Sequence, residues 1–105
     1  MNTIEDLRRL CTDETIIITN HTLNRCRERG IKYDDIKDAI LNGEIIEQYP
    51  DDYPYPSCLV LGLDSKNINL HLVTGIGDNK LWIITAYIPA LDKWESDYKT
   101  RKGNK

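Results

Sequence analysis

Two imidazoles and a row of guanidinium groups have the most chemistry to offer in this chain. His21, Arg25 and Arg29 recur every four residues, and on a helix that step puts all three on one stripe. The product is a cationic ladder with a titratable head. Its plain reading is a solvated helix face, but three cations in a row repel one another, and a bound anion would relieve that repulsion. His71 stands mid-strand between Leu70 and Leu72, on the less apolar face. Imidazole is the side chain suited to proton transfer near neutral pH. In one hairpin register Thr85 and Tyr87 share the face of His71 and make a polar cluster with it. The rival reading, from another class, is a non-catalytic module that docks a protein or anionic ligand through the His21, Arg25, Arg29 stripe.

Other chemistries find less support. Cys11, Cys26 and Cys58 are odd in number, widely spaced and without a Cys-x-x-Cys pair, which fits free thiols in a reducing compartment. His21 and Cys26 are five apart and do not converge from one helix, so neither a metal nor another cofactor is expected. Gly75-Ile-Gly77 falls in a hairpin rather than between a strand and a helix, so it is no phosphate loop. No serine has a nucleophile-elbow context. Tyr49, Tyr53 and Tyr55 could stack on bases, but Asp51 and Asp52 in the same stretch would repel phosphates, which favours a partner-docking or structural loop.

The elements that must position these residues follow from periodicity. Ile4, Leu7, Leu10 and Cys11 mark a short helix over 3–11, and β-branched residues 15–19 a strand. Thr19 or Asn20 can cap a helix over 21–29 that Gly30 stops. A further helix over 33–42 carries Asp34 and Asp35 at its positive end and stops at Asn42-Gly43. Strands are expected at 44–49, 58–63, 68–73 and 80–88, with a proline-rich loop over 49–56 and a last short helix over 91–99 carrying Trp94 and Tyr98. Two registers of the last hairpin remain open: a three-residue loop at 77–79 sets His71 opposite Thr85, and a two-residue loop at 78–79 sets it opposite Ala86. The sum is an α+β domain, an antiparallel sheet of four to five strands with two to three helices mainly on one face.

At 105 residues there is room for one domain, 1–105, ending in a short basic tail. The net charge is −3, so the chain as a whole has no polyanion-binding signature. The charge is uneven: residues 34–52 hold seven acids against Lys37, and residues 93–105 five bases against Glu95 and Asp97. With no apolar run of membrane-spanning length and no secretory leader, a cytoplasmic protein is expected.

Ile18-Thr19-Asn20-His21, Arg25 and Arg29-Gly30-Ile31 resemble the opening motif of the bacterial family known as domain of unknown function 4258. Leu70-His71-Leu72-Val73, Ile84-Thr85-Ala86-Tyr87, Pro89, Lys93-Trp94-Glu95 and Lys99-Thr100-Arg101-Lys102 match its later hallmarks, so the resemblance runs from about 16 to 102. Where the pattern leads one to expect a Ser or Thr cap after Gly30-Ile31, this chain has Lys32. That family is similar in expected fold to the RelE and BrnT ribonuclease toxins, and its members are often encoded beside a small antitoxin with a zinc finger and a helix-turn-helix. The resemblance therefore implies a RelE-like domain acting as a metal-independent endoribonuclease on RNA, held inactive by a cognate antitoxin. Such cleavage needs a base for the 2′-hydroxyl proton, an acid for the leaving oxygen and fixed positive charge facing the phosphorane. On that implication His21 and His71 fill the first two roles, in an order the sequence leaves open, and Arg25 and Arg29 the third, because a guanidinium grips phosphate with two parallel donors. Thr85 and Tyr87 would orient His71 or the substrate, and Lys99, Arg101 and Lys102 hold the flanking RNA backbone.

Overall fold

A computed structural model describes residues 1–103; Asn104 and Lys105, the end of the expected basic tail, lie outside the described residues. Three helices and five strands follow in the order α1 (Ile4–Arg9), β1 (Ile16–Ile17), α2 (Asn20–Glu28), α3 (Tyr33–Asn42), β2 (Glu44–Tyr49), β3 (Ser57–Leu63), β4 (Asn69–Gly77) and β5 (Lys80–Tyr87). The strands form one sheet in the order β1-β5-β4-β3-β2. β2 to β5 are an antiparallel meander, and β1 adds a two-residue parallel rung that pairs Ile16 with Leu81 and Ile17 with Trp82.

Local chemistry sets the helix ends. Thr19 caps α2, its hydroxyl accepting from the Thr22 N–H at 3.2 Å. At the other end Gly30 takes φ +75°, the Gly30 N–H bonds the Arg27 carbonyl, and the Ile31 N–H reaches back to that of Cys26 at 2.8 Å. Ile31 is buried by that turn. Helix α3 starts at Tyr33 although Lys32 supplies no cap, because the Asp35 carboxylate turns back to accept from the Lys32 N–H at 2.9 Å.

All three helices cover one sheet face. Leu7 and Leu10 of the α1 region, Cys26 of α2 and Ile36, Ala39 and Ile40 of α3 pack with Cys58, Val60, Leu70, Leu72, Leu81, Ile83 and Ala86 into a single core. Helix α3 lies so close on β3 that a side chain at Gly62 would collide with the Ala39 backbone. Cys11, Cys26 and Cys58 are free thiols and all buried. Burial pushes the Cys58 thiol up to about 12.

Two features depart from the sequence reading. Asp78 and Asn79 both take positive φ (56° and 57°), giving a tight two-residue hairpin in which Gly77 pairs with Lys80. That turn alone would set His71 opposite Ala86. A bulge intervenes: Thr74 pairs with Ile83 but Val73 pairs with Thr85, so Ile84 is an extra residue and His71 faces Tyr87. Neither expected register is the actual one. The helix expected over 91–99 does not form either. Asp97 accepts from the N–H groups of Lys99 and Thr100 and from the Thr100 hydroxyl, and Tyr98 takes φ 58°, so side-chain hydrogen bonds hold the segment in turns. A backbone bridge joins Trp94 to Arg101. This segment, residues 88–103, straps the sheet face that the helices leave open. Leu59, Leu61 and His71 of the sheet and Trp94 of the strap itself are all buried there, outside the helix-side core.

Candidate functional site

Alternation along β4 sends Leu70 and Leu72 into the helix-side core and His71 to the other face. There the imidazole has no exposed surface. Its Nε2 lies 2.8 Å from the Tyr98 carbonyl oxygen and its Nδ1 3.1 Å from the Tyr87 hydroxyl. A carbonyl can only accept, so Nε2 carries the ring proton, and Nδ1 accepts from the phenol. Burial pushes the His71 pKa down, only partly opposed by the Tyr98 carbonyl and the Glu47 carboxylate, so the neutral ring is the resident form. The Trp94 ring packs edge-on against it, with centroids 4.5 Å apart at 90°.

A charged layer continues outward from this pair. The Arg101 guanidinium lies over Trp94, 4.6 Å from the ring centroid, and donates to both oxygens of Glu47 at 2.9 and 3.0 Å. That two-pronged contact lowers the Glu47 pKa. The Tyr49 hydroxyl donates to the same carboxylate at 2.5 Å, and burial pushes its pKa up to about 12. Burial likewise raises the Tyr87 pKa, so the phenol keeps its proton at neutral pH. Tyr87, Lys93, Trp94 and Arg101, with Asp92, line a hollow of about 540 Å³ on this face. A Tyr-His dyad backs onto it, and two cations and an indole form its walls.

The expected residues divide between two places. His71 and Tyr87 meet as described. Arg29 and Thr85 meet at the free edge of β5, where the Arg29 guanidinium donates to the Ala86 carbonyl at 2.8 Å and reaches the Thr85 hydroxyl at 3.4 Å. Helix α2 covers this edge beyond β1, and the Thr22 hydroxyl bonds the Ile84 carbonyl. Arg29 thus satisfies an edge carbonyl that would otherwise face solvent. His21 and Arg25 share its stripe and are exposed. His21 and His71, expected to act on one phosphate as acid and base, share no hollow: His71 is sealed under the strap with both ring nitrogens engaged, and His21 is exposed on α2. The cations assigned to RNA flanks are engaged within the chain, Lys99 with Glu44 at 3.0 Å and Arg101 with Glu47, while Lys102 is exposed. Trp94, Lys93, Glu47 and the Tyr98 carbonyl join the site without having been singled out for it. An aromatic residue seven positions before an arginine is the one hint the sequence holds of the Trp94–Arg101 contact. Among the described residues no three His, Cys, Asp or Glu side chains group as a metal site, and no helix is long and apolar enough to cross a membrane.

A family profile described as "Domain of unknown function (DUF4258)" matches residues 18–88. The match takes in the α2 stripe, His71, Thr85 and Tyr87 and ends at Ile88, where the strap begins. No curated protein and no solved structure matches the chain.

Proposed function

The chain belongs to the family of domains of unknown function DUF4258, and we propose that it is a metal-independent endoribonuclease, the toxin of a toxin–antitoxin pair, whose reaction centre is the strap-side hollow. The observation that carries this reading is the hydrogen-bond chain in which the Tyr87 hydroxyl donates to His71 Nδ1 and the Nε2–H to the Tyr98 carbonyl, beside a hollow walled by Lys93, Arg101 and Trp94. Tyr87 takes the proton of an RNA 2′-hydroxyl while passing its own to Nδ1. The 2′-oxygen then attacks the adjacent phosphorus, the 5′-oxygen leaves with a proton from solvent, and His71 returns the proton it took to solvent through Tyr87. Lys93 and Arg101, the latter held in place by Glu47, face the charge that develops on the phosphorane. His71 is a positioning residue, since Tyr87 stands between it and the substrate. An antitoxin that covers the hollow would hold the activity in check.

The Tyr87→Phe variant tests this, because it keeps the ring and removes only the hydroxyl. RNA cleavage by the purified variant is expected to fall about 10²- to 10⁴-fold, the usual worth of one acid–base group, and growth arrest on induced expression to disappear. Unchanged cleavage in a folded variant would overturn the assignment. One observation favours the alternative, a docking module on α2: His21 and Arg25 are exposed there while His71 is sealed. That module requires Arg25→Ala to lose partner affinity and the wild type to leave RNA intact at any concentration.

A further inference from the structure

The β2–β3 connection, residues 50–56, carries Asp51, Asp52, Tyr53 and Tyr55 and no base. Its Tyr55 ring packs against Trp82, with centroids 5.8 Å apart and planes tilted by 37°. Gly77 makes room for this, since any side chain there would run into the Tyr55 ring. The Trp82 indole N–H donates to the Gly77 carbonyl at 2.9 Å, which uses its one donor and fixes the ring. Asp52 accepts from the hydroxyl of the buried Ser57, which anchors its carboxylate. Asp52, Tyr55 and Trp82, together with Tyr53, which is 95% exposed, and Ile84, the residue the β5 bulge adds, line a hollow of about 450 Å³. The RNA-cleaving reading makes no use of it.

The chemistry of the lining selects the ligand. Aromatic faces carry negative potential that attracts cations, a carboxylate adds a full negative charge, and no lining residue is basic. A phosphate-bearing ligand would be repelled by Asp51 and Asp52, and a purely apolar one would leave Asp52 uncompensated. Lysine and arginine side chains pair an apolar stem with a cationic head, which matches an aromatic hollow with an acid at its rim. We propose that this hollow docks an arginine or lysine side chain presented by a segment of a partner protein. Charge complementarity carries the choice of occupant, and it does not depend on the reaction centre proposed above.

The probe is a short capped peptide with one central arginine flanked by leucines, titrated into the full-length protein while the two indole N–H signals are followed by NMR. A saturable displacement of the Trp82 signal is expected, with that of Trp94 unmoved. Asp52→Asn keeps a hydrogen-bonding partner for Ser57 and removes the charge. It should weaken binding about fivefold, the scale of one exposed charge contact, and Tyr53→Ala should weaken it further. Three results would each overturn the proposal: no displacement of Trp82, equal binding when glutamate replaces the arginine, or undiminished binding to a folded Asp52→Asn protein.

Discussion

His71 shows how much a side chain's role depends on what the backbone brings to it. Its place on a strand and its outward face can be read from Leu70-His71-Leu72, and Tyr87 from the same alternation on β5. The carbonyl that fixes its tautomer belongs to Tyr98, twenty-seven residues away, and a backbone atom has no signature in residue types. The enclosure has a consequence for pH. The folded protein keeps His71 neutral below its ordinary value of 6.5, whereas the unfolded chain takes up a proton near that value. Stability from this group is therefore complete above about pH 6.5. It is lost as the pH falls, until the folded-state value is passed. Urea midpoints measured between pH 7.5 and 5 should fall, and the fall should be shallower in His71→Phe. An equally steep profile in that variant would show that the ring is hydrated in the native state.

Helices α2 and α3 could be placed from sequence because their signals are local: Thr19 before the helix, Gly30 and Gly43 after it, and apolar residues on one stripe. The β5 register could not, because it depends on which residue is left unpaired. Nothing in Ile83-Ile84-Thr85 marks Ile84 as the extra one. The strap misled for a related reason. Leu91, Trp94 and Tyr98 have helical spacing, but turn hydrogen bonds around Asp97 and the packing of Trp94 on His71 outweigh a weak helical preference over nine residues. The contact between α3 and β3 is also hidden in sequence, where Gly62 looks like a gap in an apolar strand. It should be intolerant: Gly62→Ala forces the helix off the sheet and is expected to cost about 1–3 kcal/mol, measurable by urea denaturation. Wild-type stability in that variant would mean the helix yields without penalty.

Across the molecule, the acidic stretch around β2 and the basic C-terminal segment turn out to be each other's partners, through Lys99 with Glu44 and Arg101 with Glu47. The charge asymmetry was plain in the sequence, and its internal use was not, since the pairing spans more than fifty residues. The three buried thiols offer a view of how this single core comes apart. They sit in three separate places, just past α1, on α2 and near the start of β3, and only an unfolded or opened stretch presents a thiolate to an alkylating reagent. Under iodoacetamide, peptide mass spectrometry should find Cys26 and Cys58 modified at one common rate and Cys11, at the rim, ahead of them. Three identical rates would mean that even the first helix leaves only when everything does, so three sulfur atoms serve as stopwatches for the separate parts of one small protein.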